Sequence, residues 1–308
     1  MSQPTHKVPD GYNLLVVLGP TASGKTALGV GLAHALGGAV ISADSRQVYQ
    51  GLDIGSGKDL DEYVVDGEAV PYHCIDITTL KTEFSVFHYQ RAFFEAFASL
   101  GDQAAVVVGG TGLYLEAVLK GYRMVEVPED LAQRASLESL SDVELAGELL
   151  RHKPKQHNTT DLKSRDRAIR AIEIALFEQG HPPEATPEVR PLVLGALRER
   201  KVLRQRIDLR LRERLEAGMI EEVAGLHEQG HDWERLERLG LEYRFIAQFL
   251  QGQIKNRNDL RQKLGAAIHQ FAKRQDTWFR RMERNGLDIQ WIPRADLPSA
   301  LALLESTR

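Results

Sequence analysis

Apolar and polar positions in the first 122 residues fall into blocks of two kinds. Short runs that are apolar throughout, at Leu14–Leu18, 39–41 and 104–108, alternate with longer stretches of helical spacing at 26–36 and 84–100. A run without alternation predicts a strand covered on both faces. Such strands separated by helices predict right-handed crossovers and an α/β fold with a parallel sheet. Residues 73–77 read as a further short strand, and a helix starts near Leu113. The pattern then changes. From 128 to 161 the chain is polar and helical with no apolar strand. This predicts a small helical insertion, 128–161, between core segments 1–127 and 162–308. Residues 164–179 form a helix with Ile169, Ile172, Ile174 and Leu176 inward, and a Pro-rich connection at 181–191 leads to a strand at 192–197. Residues 199–230 are helical with a break near Gly218, and further helices span 241–251 and 259–285. Residues 287–292 read as a last strand, closed by a short helix after Pro298.

Composition adds bounds. At 308 residues the chain suggests about two domains. With 43% hydrophobic and 27% charged residues it is ordinary for a soluble globular protein. The single cysteine, Cys74, allows no intrachain disulfide and sits in an apolar run as a buried thiol. The polar segment 1–13 has no signal-peptide core, and no apolar run reaches membrane-spanning length. A cytoplasmic chain with no membrane partner is expected, and a monomer.

Charge is uneven beneath a net value of −4. Residues 198–214 carry eight Lys/Arg against three Asp/Glu, and residues 255–284 nine against three. Lys163, Arg165, Arg167 and Arg170 add a third basic group. Basic helices on a mildly acidic protein point to a polyanionic partner, or equally to solvated helix faces.

The chemistry is concentrated where predicted strands end. Gly19-Pro20-Thr21-Ala22-Ser23-Gly24-Lys25-Thr26 fits the phosphate-loop pattern G-x-x-x-x-G-K-[ST] between a strand and a helix. Glycines let backbone N–H groups face an anion, the helix N-terminus adds partial positive charge, and Lys25 adds a cation. The Thr26 hydroxyl can hold Mg²⁺. Asp44 ends the next strand, where a carboxylate suits a general base, and equally a helix cap or turn. Strand 104–108 ends in Gly109-Gly110-Thr111-Gly112, where Thr111 could donate a hydrogen bond to a phosphate or base, or be a turn hydroxyl. A hydrolysing NTPase would want an acid there for Mg²⁺. Its lack points to an enzyme that holds a pyrophosphate for another purpose.

Four motifs, Gly-Pro-Thr-Ala-Ser-Gly-Lys-Thr at 19–26, Asp-Ser-Arg-Gln-Val-Tyr at 44–49, Gly-Leu-Asp-Ile-Gly-Ser-Gly-Lys at 51–58 and Val-Gly-Gly-Thr-Gly-Leu-Tyr at 108–114, resemble those of the tRNA dimethylallyltransferase family. Pro71-Tyr72-His73, Arg167 to Glu173, and Lys273-Arg274-Gln275 with Trp278 match in the same order. The resemblance implies a P-loop kinase-like parallel sheet flanked by helices, with a small helical insertion and a helical tRNA-binding part. It implies transfer of a dimethylallyl group from dimethylallyl pyrophosphate to N6 of adenosine 37 in the tRNA anticodon stem-loop. Mg²⁺ at Thr26 and a nucleotide-binding type of phosphate loop go with it.

Carried residue by residue, the resemblance gives the pyrophosphate to Gly19, Pro20, Thr21, Ala22, Ser23, Gly24, Lys25 and Thr26. It makes Asp44 the base for the adenine amine and puts Thr111 opposite. It sets Ser45, Arg46 and Gln47 beside the target base, and Asp166 to Arg170 (with Asp166, Arg167 and Arg170) and 239–244 (with Tyr243 and Arg244) on tRNA. Lys273, Arg274 and Gln275 also fall to tRNA. Arg206 and Arg210 match family arginines facing the pyrophosphate, with the choice between them open. Three features depart from the family. Glu242-Tyr243-Arg244 replaces the common Gly-Tyr-Arg, Gly55-Ser56-Gly57-Lys58 replaces the common Gly-Thr-Ala-Lys, and the 128–161 insertion is short. No Cys/His cluster follows the core. An adenylate isopentenyltransferase using free nucleotide and a small-molecule kinase of the same fold are the alternatives. Neither needs the basic helices.

Overall fold

The computed structural model describes residues 6–128, 130–152, 164–182 and 185–307. The chain divides into two compact units, Met1–Gly121 with Glu188–Arg308, and Tyr122–Pro187.

The first unit opens with strand β1 (Leu14–Leu18), helix α1 (Lys25–Ala35) and strand β2 (Ala39–Ala43). A single-turn 3-10 helix at Leu60–Tyr63 precedes the two-residue strands β3 (Val64–Val65), β4 (Glu68–Ala69) and β5 (Tyr72–His73). Helix α2 (Val86–Ser99), strand β6 (Ala105–Gly109) and helix α3 (Gly112–Leu119) complete its first segment. The second unit holds α4 (Leu131–Glu138), α5 (Asp142–His152) and α6 (Arg165–Gly180). Returning to the first unit, strand β7 (Pro191–Leu197) leads into α7 (Arg200–Glu216), α8 (Met219–Glu228), α9 (Trp233–Arg238), α10 (Leu241–Leu250) and α11 (Arg257–Arg284). Strand β8 (Gln290–Pro293) and helix α12 (Leu297–Ser306) follow.

Six strands form one parallel sheet in the order β5-β2-β6-β1-β7-β8. Every residue of β1, β2 and β6 is buried, as unbroken apolar runs require. Side chains alternate across the sheet. Leu14, Val16 and Leu18 pack with Tyr89, Phe93, Leu115 and Phe279 on one face. Leu15 and Val17 pack with Leu28, Leu32, Ala300 and Leu304 on the other. A third core joins α7, α8, α9, α10 and α11 through Leu211, Val223, Leu236, Tyr243, Ile246 and Leu264.

The expected strand at 73–77 is cut to Tyr72–His73. Cys74 and Asp76 take positive φ values of 61° and 55°, which no strand accommodates. The β3–β4 hairpin and α9 were not expected, and the last strand lies later, at Gln290–Pro293. The helical unit is wider than the 128–161 insertion read from polarity, part of which lies outside the described residues. Helix α6 belongs to it, because Ala168, Ile169 and Ile172 pack on Leu137, Leu145 and Leu149. Glu173 is buried there between Arg134 (2.9 Å) and Arg170 (2.8 Å).

Candidate active site

The strand register sets three loops at one level. Gly109 pairs with Ala43 on one side and Leu18 on the other. A Cβ at Gly109 would lie 2.3 Å from the Ala43 carbonyl, so this close approach requires glycine. The loops leaving β1, β2 and β6 therefore converge at the carboxyl edge of the sheet, where open α/β sheets bind ligands.

In the loop after β1, Ala22 and Gly24 have φ values of 61° and 92°. Their carbonyl neighbours are held from outside by arginines. Arg206 Nε donates to the Ala22 carbonyl and Arg198 Nε to that of Ser23, both at 2.9 Å. Lys25 opens α1, and its Nζ lies 3.4 Å from the Pro20 carbonyl. Burial pushes the Lys25 ammonium down to about 8, helped by the nearby Arg210 cation and opposed by Asp44. Asp44 follows β2, and its Oδ1 accepts the Arg46 N–H at 2.9 Å. One oxygen thus caps a turn, and the turn fixes where the other oxygen points. Thr111 caps α3 in position but not through its own side chain. Its Oγ1 accepts the Ser45 N–H at 3.1 Å and so ties the β6 loop to the Asp44 turn.

Two cavities meet here. One, of about 340 Å³, is lined by Thr21, Lys25, Thr26, Asp44 and Thr111, with Arg238, Arg244 and Arg274 at its edge. The other, of about 750 Å³, is lined by Ile54, Leu60, Leu209, Asp59, Glu62 and Arg206. Lys25, Thr26, Arg210 and Arg214 line both. Arginines 206, 210 and 214 stand one turn apart on α7. Arg210 and Arg214 share Asp59, at 3.3 and 2.8 Å. Arg210 Nε is buried with no hydrogen-bond partner among the described residues.

Comparison with known proteins assigns the family. The IPP transferase profile matches residues 47–282. The chain belongs to the IPP transferase family. The tRNA dimethylallyltransferase 1 of Geotalea uraniireducens is 58% identical over 282 residues, which cover 91% of this chain and 92% of that one. The tRNA dimethylallyltransferase 2 of Trichlorobacter lovleyi is 56% identical over 292 residues, 94% of each chain. The crystal structure of the full-length tRNA isopentenylpyrophosphate transferase of Bacillus halodurans superposes with a TM-score of 0.66 at 30% identity, over 96% of this chain and 97% of that one.

Three of the residues that the family resemblance assigned to RNA, Gln47, Tyr243 and Gln275, have protein partners in the structure, and Gln47 and Gln275 also line the smaller cavity. Gln47 donates to the Gly57 carbonyl at 2.9 Å and accepts from Ser42 at 2.8 Å. Tyr243 is 1% exposed and donates to Glu222 at 2.8 Å. Gln275 bridges the Thr21 N–H and the Gly110 carbonyl. Arg170 is held by Glu173 and the Val127 carbonyl within the second unit, where Asp166 and Arg167 are exposed. Lys273, Arg274 and Arg244 are exposed.

Several residues were missed by the sequence reading. Arg214 was legible as the third member of an i, i+4, i+8 stripe. Glu222 accepts the N–H groups of Asp53, Ile54 and Gly55 at 3.1, 2.6 and 3.1 Å and so fixes the loop beside the larger cavity. Lys58 is 2% exposed and holds the Tyr49 carbonyl, Asp53 and Asp76. No local pattern signals either contact, because the partners are distant in sequence or set by the turn. Of the departures, Gly57 (φ 67°) admits the arginines: a Cβ there would lie 2.0 Å from Arg214. Glu242 sits in the first turn of α10 with burial raising its pKa, and the backbone freedom at this corner comes from Gly240, at φ 130°.

The protonation state of Lys25 gives a testable pH effect. Its ammonium is present below about pH 8 and is lost as pH rises through that value. Arginines stay charged throughout. The KM for a pyrophosphate substrate is expected to climb by up to about tenfold per pH unit above that point, with little change in KM for a second substrate held by arginines. Initial-rate titrations of each substrate across the alkaline range check this, and a flat pyrophosphate KM would contradict it.

Proposed function

We propose that this chain transfers a dimethylallyl group from dimethylallyl pyrophosphate to N6 of adenosine 37 in tRNA, with release of pyrophosphate. The observation that carries the reading is the meeting of two cavities at Lys25, Thr26, Arg210 and Arg214. One holds a carboxylate and an arginine edge suited to a base on an RNA backbone. The other adds apolar walls and reaches the same cations. The relatives named tRNA dimethylallyltransferase support the RNA acceptor over a free nucleotide or a kinase substrate.

An allylic carbon–oxygen bond ionises when charge on its leaving group is neutralised. Lys25, the loop N–H groups and Arg210 do this. Arg210 is assigned over Arg206 because it lines both cavities with an Nε that has no partner among the described residues, whereas Arg206 Nε is bonded to Ala22. The adenine N6 amine is a weak nucleophile and needs close placement. As N6 bonds to the allylic carbon, Asp44 accepts the amine proton. Thr111 holds the Asp44 turn through Ser45. A base within an RNA loop must be unstacked to reach Asp44, and Arg238, Arg244 and Arg274 can hold the backbone while it does.

The residues present fit Mg²⁺. Thr26 offers a hard hydroxyl oxygen to both cavities, and Mg²⁺ commonly takes only one or two protein oxygens beside substrate phosphates. Bound there, it would add charge neutralisation on the pyrophosphate.

The test is incubation with labelled dimethylallyl pyrophosphate and two anticodon stem-loop RNAs, one with adenosine and one with guanosine at position 37. Label is expected only in the adenosine RNA. Label in both or in neither would overturn the reading. Charge reversal at exposed Lys273 and Arg274 is expected to raise KM for tRNA about tenfold or more while leaving KM for the prenyl donor within about twofold, because phosphate contacts carry RNA affinity. Steady-state titration of both substrates checks this.

A further inference from the structure

On helix α11 the exposed Lys273 and Arg274 are followed by the buried Gln275, which with Arg274 lines the smaller cavity. Gln275 is 8% exposed, and both ends of its amide are committed. Its Oε1 accepts the Thr21 N–H at 2.8 Å, and its Nε2 donates to the Gly110 carbonyl at 2.9 Å. One side chain thus spans the phosphate loop after β1 and the glycine loop after β6. Local shape agrees. A Cβ at Gly110 would lie 2.5 Å from Gln275 Nε2 and 3.4 Å from Lys25 Cε, so glycine makes room for the amide beside the lysine. One turn on, Trp278 covers Gly112, where a Cβ would lie 2.4 Å from its ring. The two bridged loops carry the groups that must meet: Lys25 follows one, and Thr111, which holds the Asp44 turn, belongs to the other.

We infer that Gln275 is a positioning residue, a strut that sets the spacing between the pyrophosphate side and the acceptor side of the site, and not a contact to RNA. This deepens the proposed transfer reaction and rests on it. The physical basis is geometric. Near-attack geometry tolerates little displacement, and a shift of about 1 Å can cost on the order of 10²-fold in rate. Two hydrogen bonds on one buried amide resist such a shift, since releasing either strands a buried polar group.

Gln275→Met retains the length and volume of the side chain and removes both hydrogen bonds. Three quantities are measured: the single-turnover rate of prenyl transfer, KM for tRNA and for dimethylallyl pyrophosphate, and amide hydrogen exchange in segments 19–24 and 109–112. The rate is expected to fall roughly tenfold to a hundredfold with each KM within about threefold of wild type, and exchange in both segments is expected to accelerate. A raised tRNA KM with the rate intact would make Gln275 an RNA contact and overturn the inference. Unchanged rate and unchanged exchange would make the two bonds incidental and also overturn it. Should the methionine variant fail to fold, Gln275→Glu keeps the acceptor for Thr21 and loses the donor to Gly110. It is expected to lose rate with faster exchange at 109–112, and a wild-type rate would overturn the strut. Hydrogen exchange needs no substrate. If the wild-type protein transfers no prenyl group, the reaction reading fails while the exchange result still decides the strut.

Discussion

Lys25→Ala is expected to lower kcat/KM for prenyl transfer by at least ~10²–10³ while leaving the fold intact, the scale of removing one preorganised charge-stabilising group. Lys25 sits where the two cavities meet, so no other group of the loop replaces its charge against the leaving pyrophosphate. Its ammonium makes one long contact, 3.4 Å to the Pro20 carbonyl, and burial already disfavours its charge. Removing it therefore costs the folded state little. Circular dichroism and thermal unfolding should match wild type, and transfer of label from dimethylallyl pyrophosphate should be lost. Near wild-type turnover would mean that the pyrophosphate binds elsewhere.

Asp44→Asn is expected to lower the single-turnover rate by ~10²–10⁴ with both substrates still bound, the usual cost of removing a general base. The amide retains an oxygen that can accept the Arg46 N–H, now 2.9 Å from Oδ1, so the turn survives. What the amide cannot do is accept the amine proton. Rapid-quench measurement at saturating tRNA and donor separates the two roles of this residue. An unchanged rate would leave Asp44 as a turn cap alone.

Much of the core was legible because its physics is local. Leu14–Leu18 reads as a strand because nothing polar interrupts it, and it is buried on both faces of the sheet. The phosphate loop reads from glycine spacing, because only that backbone can bend around an anion. What was not legible depends on pairing across the chain. Residues 73–77 look like a strand until Cys74 and Asp76 turn to positive φ. Glu222 meets the amides of residues 53–55 from about 170 positions away, and no local pattern carries that contact. Gln275 is an intermediate case. Motif resemblance placed it with Lys273 and Arg274 on RNA, yet Leu264, Ile268, Ala272, Gln275 and Phe279 share one buried face of α11. Helical periodicity alone would have turned it inward. Tyr243 follows the same rule with Ile246 and Ala247. Spacing could not rank Arg206 against Arg210. The bond from Arg206 Nε to the Ala22 carbonyl, against the ion pair of Arg210 with Asp59, separates them.

A folded RNA, and not a free nucleotide, is the expected acceptor of the prenyl group. Transfer from labelled dimethylallyl pyrophosphate to tRNA and to adenosine monophosphate is compared side by side at two salt concentrations. Each phosphate contact releases counterions, with a slope of about −0.7 to −0.9 in log affinity against log salt for DNA. Several contacts along the basic helices should therefore raise KM for tRNA steeply with salt, with KM for the prenyl donor little changed and adenosine monophosphate scarcely used. Comparable efficiency on adenosine monophosphate, or a tRNA KM indifferent to salt, would contradict the account.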